Sequence, residues 1–191
     1  MKTFELSGVT RTDLGKKPSK AVRNDNAIPC VMYGTGSNTH FTVTESDVRK
    51  LIYTPEIFEV HLTVDGKKSV AVMKDLQFHP VTDKVLHIDF LEVDNKKPIV
   101  LSVTVKVEGL AEGVKAGGKL SLELRKLKVK ALCKDIPENL VVNVEKLGLG
   151  KTLKAGQLSY PNLEILNNKD NVIVAVKLTR AARGLAAKGG K

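Results

Sequence analysis

The sequence predicts a mainly β protein, with an N-terminal small antiparallel β-barrel bearing short helices and a second all-β domain after it. Three observations carry that expectation. Apolar and polar residues alternate in short runs along most of the chain, most clearly where Phe58, Val60, Leu62 and Val64 interleave with Glu59, His61, Thr63 and Asp65. Turn residues, led by Asp65-Gly66, punctuate these runs. The second half shows no long stretch of helical periodicity.

The elements follow in order. Residues 3–9 alternate loosely, Phe4 and Leu6 on one face against Glu5 and Ser7 on the other, as in a half-buried strand. From residue 10 to 27 the apolar rhythm stops, and Arg11, Gly15, Lys16, Lys17, Pro18, Lys20 and Arg23 read as a long basic loop with a brief helical turn at 19–23. A strand resumes over 28–33 and stops at Gly34, and Phe41 with Val43 marks another. Thr44 with Asp47 three residues later resembles a capping box, opening a short helix that includes Val48, Leu51 and Ile52 and ends at Pro55. After the strand at 58–64, residues 68–73 form its return partner, 78–80 a break, and 86–93 a further strand.

Asp94-Asn95-Lys96-Lys97-Pro98 is polar and turn-rich, and is the expected boundary between domains at 1–95 and 96–178. Beyond it, Val103, Val105 and Val107 alternate with Thr104, Lys106 and Glu108. Leu120, Leu122 and Leu124, then Leu127, Val129 and Ala131, repeat the pattern, and Val172, Val174, Val176 and Leu178 complete it. A short turn of helix is expected near 145–147. Residues 179–191, with Arg180, Arg183, Lys188 and Lys191 and no acid, read as a basic Ala/Gly-rich tail.

Composition narrows the function. The 191 residues carry 31 basic and 21 acidic side chains, a formal net charge of +10. Residues 1–95 hold 12 basic and 13 acidic groups, whereas 96–191 hold 19 and 8, so the excess sits in the second half and in the basic stretch near the start. Such a field points to an anionic partner, structured RNA foremost. Aromatics make up 4%, with no Trp, which disfavours a broad stacking platform or an aromatic sugar cleft. No apolar run approaches 18 residues, so no membrane partner is expected. Cys30 and Cys133 are solitary, which disfavours a secreted disulfide scaffold and makes a cytoplasmic location the default.

Catalytic and cofactor motifs fail on inspection. Gly150-Lys151-Thr152 would need a glycine at position 145 to complete a phosphate loop, and Glu145 stands there. Gly113, Gly117 and Gly118 lack the strand–turn–helix context of a dinucleotide fingerprint, and turn chemistry explains them. His40, His61, His79 and His87 show no metal-ligand spacing, so neither a metal nor any other cofactor is expected. His87 and Asp89 share one face of a strand, but a catalytic pair would need a nucleophile such as Cys30 or Ser69 beside it. The same two side chains can instead donate to and accept from nucleotide edges. Arg11, Lys16, Lys20 and Arg23 suit closely spaced phosphates, or are simply a solvated charged loop.

These residues resemble a known family. Arg11 through Gly15-Lys16, the segment from Arg23 to Ile28-Pro29-Cys30-Val31-Met32-Tyr33-Gly34, Lys74-Asp75 with Gln77 and His79-Pro80, and His87-Ile88-Asp89-Phe90 are similar to bacterial ribosomal large-subunit protein twenty-five. The likeness extends to its long, two-domain form, also called general stress protein CTC, through 112–118, Asp135-Ile136-Pro137-Glu138 and Leu147-Gly148-Leu149-Gly150, and covers residues 3–178. The resemblance implies a non-enzymatic constituent of the large subunit, monomeric when free, whose barrel binds 5S rRNA at an irregular internal loop. It assigns phosphate contacts to Arg11 and Arg23, a backbone contact to Lys16, a place against the RNA to Tyr33, and groove-facing roles to Gln77, His87 and Asp89, with Lys20 joining them as a phosphate contact of the basic arm. Around Ala21 and Val22, where the family often carries adjacent arginines, this chain has only the flanking Lys20 and Arg23. The second domain is implied to meet neighbouring rRNA and ribosomal proteins. A stress-related RNA- or protein-binding factor acting off the ribosome is the alternative.

Overall fold

The computed structural model describes residues 1–34, 36, 38–94 and 97–180. Asn95 and Lys96 of the expected boundary, and the tail from residue 181 on, lie outside the described residues. The chain divides into two compact units: Met1–Ile99 with Leu132–Lys134, and Val100–Ala131 with the chain from Asp135 on.

The first unit contains β1 (Lys2–Thr10), α1 (Lys16–Asn24), β2 (Ala27–Tyr33), β3 (Thr39–Thr44), α2 (Glu45–Ile52), β4 (Phe58–Val64), β5 (Lys67–Phe78) and β6 (Val85–Glu92). The six strands close a barrel in the order β1-β3-β2-β6-β5-β4. Four seams are antiparallel. The other two, β1 with β4 and β2 with β6, are parallel. Parallel partners need long crossovers, which no local turn signal announces. In the β1–β4 seam Leu6 stands opposite Leu62, and both are buried. Phe41, Val43, Val60, Ile88 and Phe90 fill the interior, and α2 adds Val48 and Leu51. The Asp65-Gly66 hairpin has positive φ at both residues, 47° and 81°, as a primed turn matched to strand twist requires.

In this unit three local expectations are corrected. The basic stretch is a nine-residue helix, α1, and more than a brief turn. It buries no residue, so no apolar period could reveal it. Gly15 supplies its N-cap at φ 115°, Ser19 N–H donates to Gly15 O at 3.2 Å, and Pro18 sits in the first turn, where its missing N–H costs nothing. The capping box of α2 does not close, since Thr44 makes no side-chain cap. The Asp47 carboxylate, one methylene shorter than glutamate, accepts instead from Ser46 Oγ at 3.2 Å, and Glu45 N–H donates to Asn26 O. Finally, β5 runs on to Phe78 through a bulge between Met73 and Asp75, which interrupts the alternation and hides the strand's second half.

The second unit is built on β7 (Ile99–Glu108), α3 (Glu112–Lys115), β8 (Lys119–Leu122), β9 (Lys126–Ala131), β10 (Asn139–Asn143), β11 (Thr152–Lys154), β12 (Glu164–Ile165) and β13 (Val172–Lys177). One sheet has the order β10-β7-β9-β12 and a second the order β11-β13-β8. Val103, Val105, Leu127, Val129, Leu140 and Ile173 are among its buried core. The expected helical turn near 145–147 is a tight turn in which Leu147 N–H donates to Val144 O at 2.9 Å. The short helix α3 lies in the glycine-rich connection instead.

Candidate nucleic-acid interface

Residues alternate across β6: Ile88 and Phe90 enter the core, while His87 and Asp89 face outward, each side chain 27% exposed. Register extends this outer face sideways. On one flank Gln77 stands opposite His87 and Asp75 opposite Asp89. On the other flank Val31 of β2 stands opposite Asp89, and His40 of β3 opposite Val31. One line across the wall therefore reads Asp75, Asp89, Val31, His40.

His87 Nδ1 lies 2.7 Å from Asp89 Oδ1. With its proton on Nδ1, the imidazole donates to the carboxylate and presents Nε2 as an acceptor; a second proton makes Nε2 a donor. The carboxylate keeps its other oxygen for a further donor. Tyr33 closes β2 beside this pair, half-buried. Burial raises the pKa of its phenol, and the charges of Asp89 and then Asp75 raise it further, so the hydroxyl stays protonated and can donate.

The basic elements are tied to the same wall. Arg11 follows β1, and its backbone N–H donates to His40 O at 3.0 Å. Its guanidinium spans to α1, with Nη2 donating to Ser19 Oγ at 3.0 Å and Nε to Asp13 O at 3.3 Å. At the far end of α1, Arg23 Nε donates to Leu86 O at 3.0 Å, one residue before His87. Both guanidinium groups retain unused N–H donors, held in fixed positions. Lys16, Lys20 and Arg23 are spaced four and three apart, on one side of the helix. Lys16 and Lys20 are exposed, and their ammonium groups have no hydrogen bond or ion pair among the described residues.

The eight residues singled out in the sequence thus fall into two adjoining groups. Gln77, His87, Asp89 and Tyr33 share the outer wall, and Arg11, Lys16, Lys20 and Arg23 lie on or beside α1. Two members of the wall escaped sequence reasoning as site residues. Asp75 is separated from its strand's pattern by the bulge, and His40 enters only through the β2–β3 register. The nucleophiles considered for His87 and Asp89 stand elsewhere. Cys30 is paired with Ile88 on the inward side of the wall, where burial pushes its thiol far above the usual range. Ser69 lies eight residues from Gln77 along β5, about 26 Å at the strand rise.

This arrangement offers acceptors, one protonated hydroxyl and an imidazole at fixed spacing, with cationic forks beside them. It is a surface suited to base edges and 2′-hydroxyls flanked by phosphates. Comparison with known proteins agrees with that chemistry. Residues 6–90 match the Ribosomal L25p family, and residues 98–180 match the family described as ribosomal protein TL5, C-terminal domain. The chain is 57% identical over 198 residues to a protein of Phocaeicola vulgatus, covering all of both chains. It is 58% identical over 194 residues to one of Parabacteroides distasonis, covering 99% of this chain and all of that protein. With one of Porphyromonas gingivalis it shares 56% over 190 residues, 98% of this chain and 99% of that protein. Each of the three is named large ribosomal subunit protein bL25.

Proposed function

The chain belongs to the L25p family of ribosomal proteins, and on that premise we propose that its first unit binds 5S rRNA at an irregular internal loop. It is a non-catalytic, rRNA-binding constituent of the large ribosomal subunit in the cytoplasm, as its family membership establishes. The finer reading is that domain 1–95 reads the loop, while domain 96–178 meets neighbouring rRNA and ribosomal proteins. The free chain is a monomer.

One observation carries the assignment. Arg11 and Arg23 hold the two ends of the basic segment against the same wall that displays His87 and Asp89, through His40 O and Leu86 O. Phosphate-binding and edge-reading groups are thereby fixed relative to each other. In regular A-form RNA, side chains cannot read the deep major groove, and recognition falls on shape, phosphates and 2′-hydroxyls. A loop of non-Watson–Crick pairs presents further base edges. Gln77, His87 and Asp89 are placed to meet them, Tyr33 donates its hydroxyl, and Arg11, Arg23, Lys16 and Lys20 hold the flanking backbone.

Chemical footprinting of the full chain on 5S rRNA tests this reading. Protection centred on the internal loop and its flanking phosphates is expected. Protection spread evenly along the helices, with no focus at the loop, would contradict it.

A further inference from the structure

The second unit carries a charged face of its own. In β9 the burial alternates strictly: Leu127, Val129 and Ala131 are buried, and Lys126, Lys128 and Lys130 are exposed. The three ammonium groups therefore leave one side of one strand, at intervals of about 7 Å. The neighbouring strand β7 adds Lys106, exposed between buried Val105 and half-buried Val107, with Val105 N–H bonded to Arg125 O at 2.9 Å. Only Lys130 of these four has an ion-pair partner among the described residues, Glu164 Oε2 at 3.7 Å. The ammonium groups of Lys106, Lys126 and Lys128 make no hydrogen bond or ion pair among the described residues, although the Lys128 backbone N–H donates to Asn167 Oδ1 at 2.7 Å. Like charges gathered on one sheet face repel and destabilise it unless an anion lies across them.

We infer that this lysine face of the four-stranded sheet is a second RNA-binding surface, one that clamps the phosphates of a regular RNA duplex without reading its bases. The inference deepens the reading of the second unit as rRNA-facing by naming the surface and its ligand chemistry. Lysine is a point charge suited to phosphate, without the fork that reads base edges. The outward residues of β7, β9, β10 and β12 include no aromatic ring, and Tyr160, tethered beside β10 by its hydroxyl's donation to Val141 O at 2.8 Å, is a single ring and not a stacking platform for successive single-stranded bases. Protein partners fit poorly, because interface cores are depleted in lysine and enriched in aromatic and apolar side chains. Val141 is the one apolar outward residue of these strands with large exposure, 43%. Sequence-independent phosphate contact remains, and its signature is the dependence of affinity on salt.

The test uses the full chain and a regular RNA duplex of mixed sequence with no internal loop. Binding is titrated across a salt series for the wild type and for two triple variants of equal charge. The first is Lys106→Gln/Lys126→Gln/Lys128→Gln. The second, Lys115→Gln/Lys119→Gln/Lys151→Gln, removes exposed lysines of α3, of β8 and of the residue before β11. The first triple is expected to lower the slope of log K against log salt by about two to three and affinity at low salt by about ten- to a hundredfold. The control triple is expected to change the slope by less than about one. Lys128→Gln alone, for use if the triple is poorly folded, should lower the slope by about one. An unchanged slope in the first triple or in Lys128→Gln, or equal losses in both triples, would overturn the lysine face as a site. Preference for the internal loop is read with a different RNA, so failure of the 5S assignment and failure of this one are separable.

Discussion

Asp89 Oδ1 lies 2.7 Å from His87 Nδ1, and that contact sets how the imidazole meets a ligand. Two residues apart on β6, the pair shares one face, and the carboxylate fixes the ring's orientation and its tautomer. The unit that faces solvent is therefore Nε2 of an oriented imidazole together with the second Asp89 oxygen. Under the proposed reading, neither group needs to be rearranged for RNA to bind.

Asp89→Asn keeps the shape of the side chain and removes its charge and half its acceptor capacity. It should reduce the preference for the irregular loop over a regularised duplex by about tenfold, the worth of a lost hydrogen bond to a charged group. Affinity for the regular duplex should stay within about twofold, since phosphate contacts are untouched. Parallel titrations with both RNAs measure the ratio. Equal losses on the two RNAs would place Asp89 in folding or in general affinity.

If Arg11 and Arg23 hold phosphates as proposed, Arg11→Ala and Arg23→Ala should each weaken 5S binding and flatten its salt dependence by about one unit of slope. Arg23→Ala also frees Leu86 O, so its thermal unfolding should register a loss of about 1 kcal/mol. A lysine at position 23 retains charge without the fork and should recover salt dependence more fully than stability. An unchanged slope in both alanine variants would exclude these arginines as phosphate ligands.

Gly15→Ala tests the geometry that launches α1. At φ 115° and ψ −177° the residue occupies a region that side chains avoid, and a Cβ there would meet nothing within 4 Å. The cost is backbone strain alone, about 1–3 kcal/mol, read as a lower urea midpoint with an unchanged m-value. No loss of stability would mean that the segment relaxes freely around residue 15.

Cys30 makes the barrel sensitive to alkali. Its thiol, ordinarily near 9.0, is raised in the folded state, first by burial and then by the charge of Asp89. The unfolded chain thus releases the proton first, so stability is full below about pH 9 and falls as pH rises beyond it. Urea midpoints between pH 8 and 10.5 should decline less steeply in Cys30→Val than in the wild type. Identical slopes would show that Cys30 stays protonated, or equally ionised, in both states.

The strand framework was legible because alternation is local: β4, β7 and β9 announce themselves in their own residues. The parallel seams were not, since the pairing of Lys2 with Phe58 depends on where a long crossover returns. Among the site residues, His87 and Asp89 were visible as a pair on one strand face, but their contact distance was not. Helix α1 escaped full recognition because its stabilising partners, Ser19 Oγ for Arg11 and Leu86 O for Arg23, are tertiary and leave no periodic mark. His40 joined the wall only through register, a property of two strands and not of either sequence alone.

The most direct measurement is the ratio of dissociation constants of the full chain for 5S rRNA with its internal loop intact and with that loop replaced by regular pairs, near physiological salt. A wall that reads the loop predicts at least about a tenfold preference for the intact RNA, lost when Gln77, His87 and Asp89 are replaced together by alanine. Equal affinity for the two RNAs in the wild type would contradict it and leave charge alone as the basis of binding.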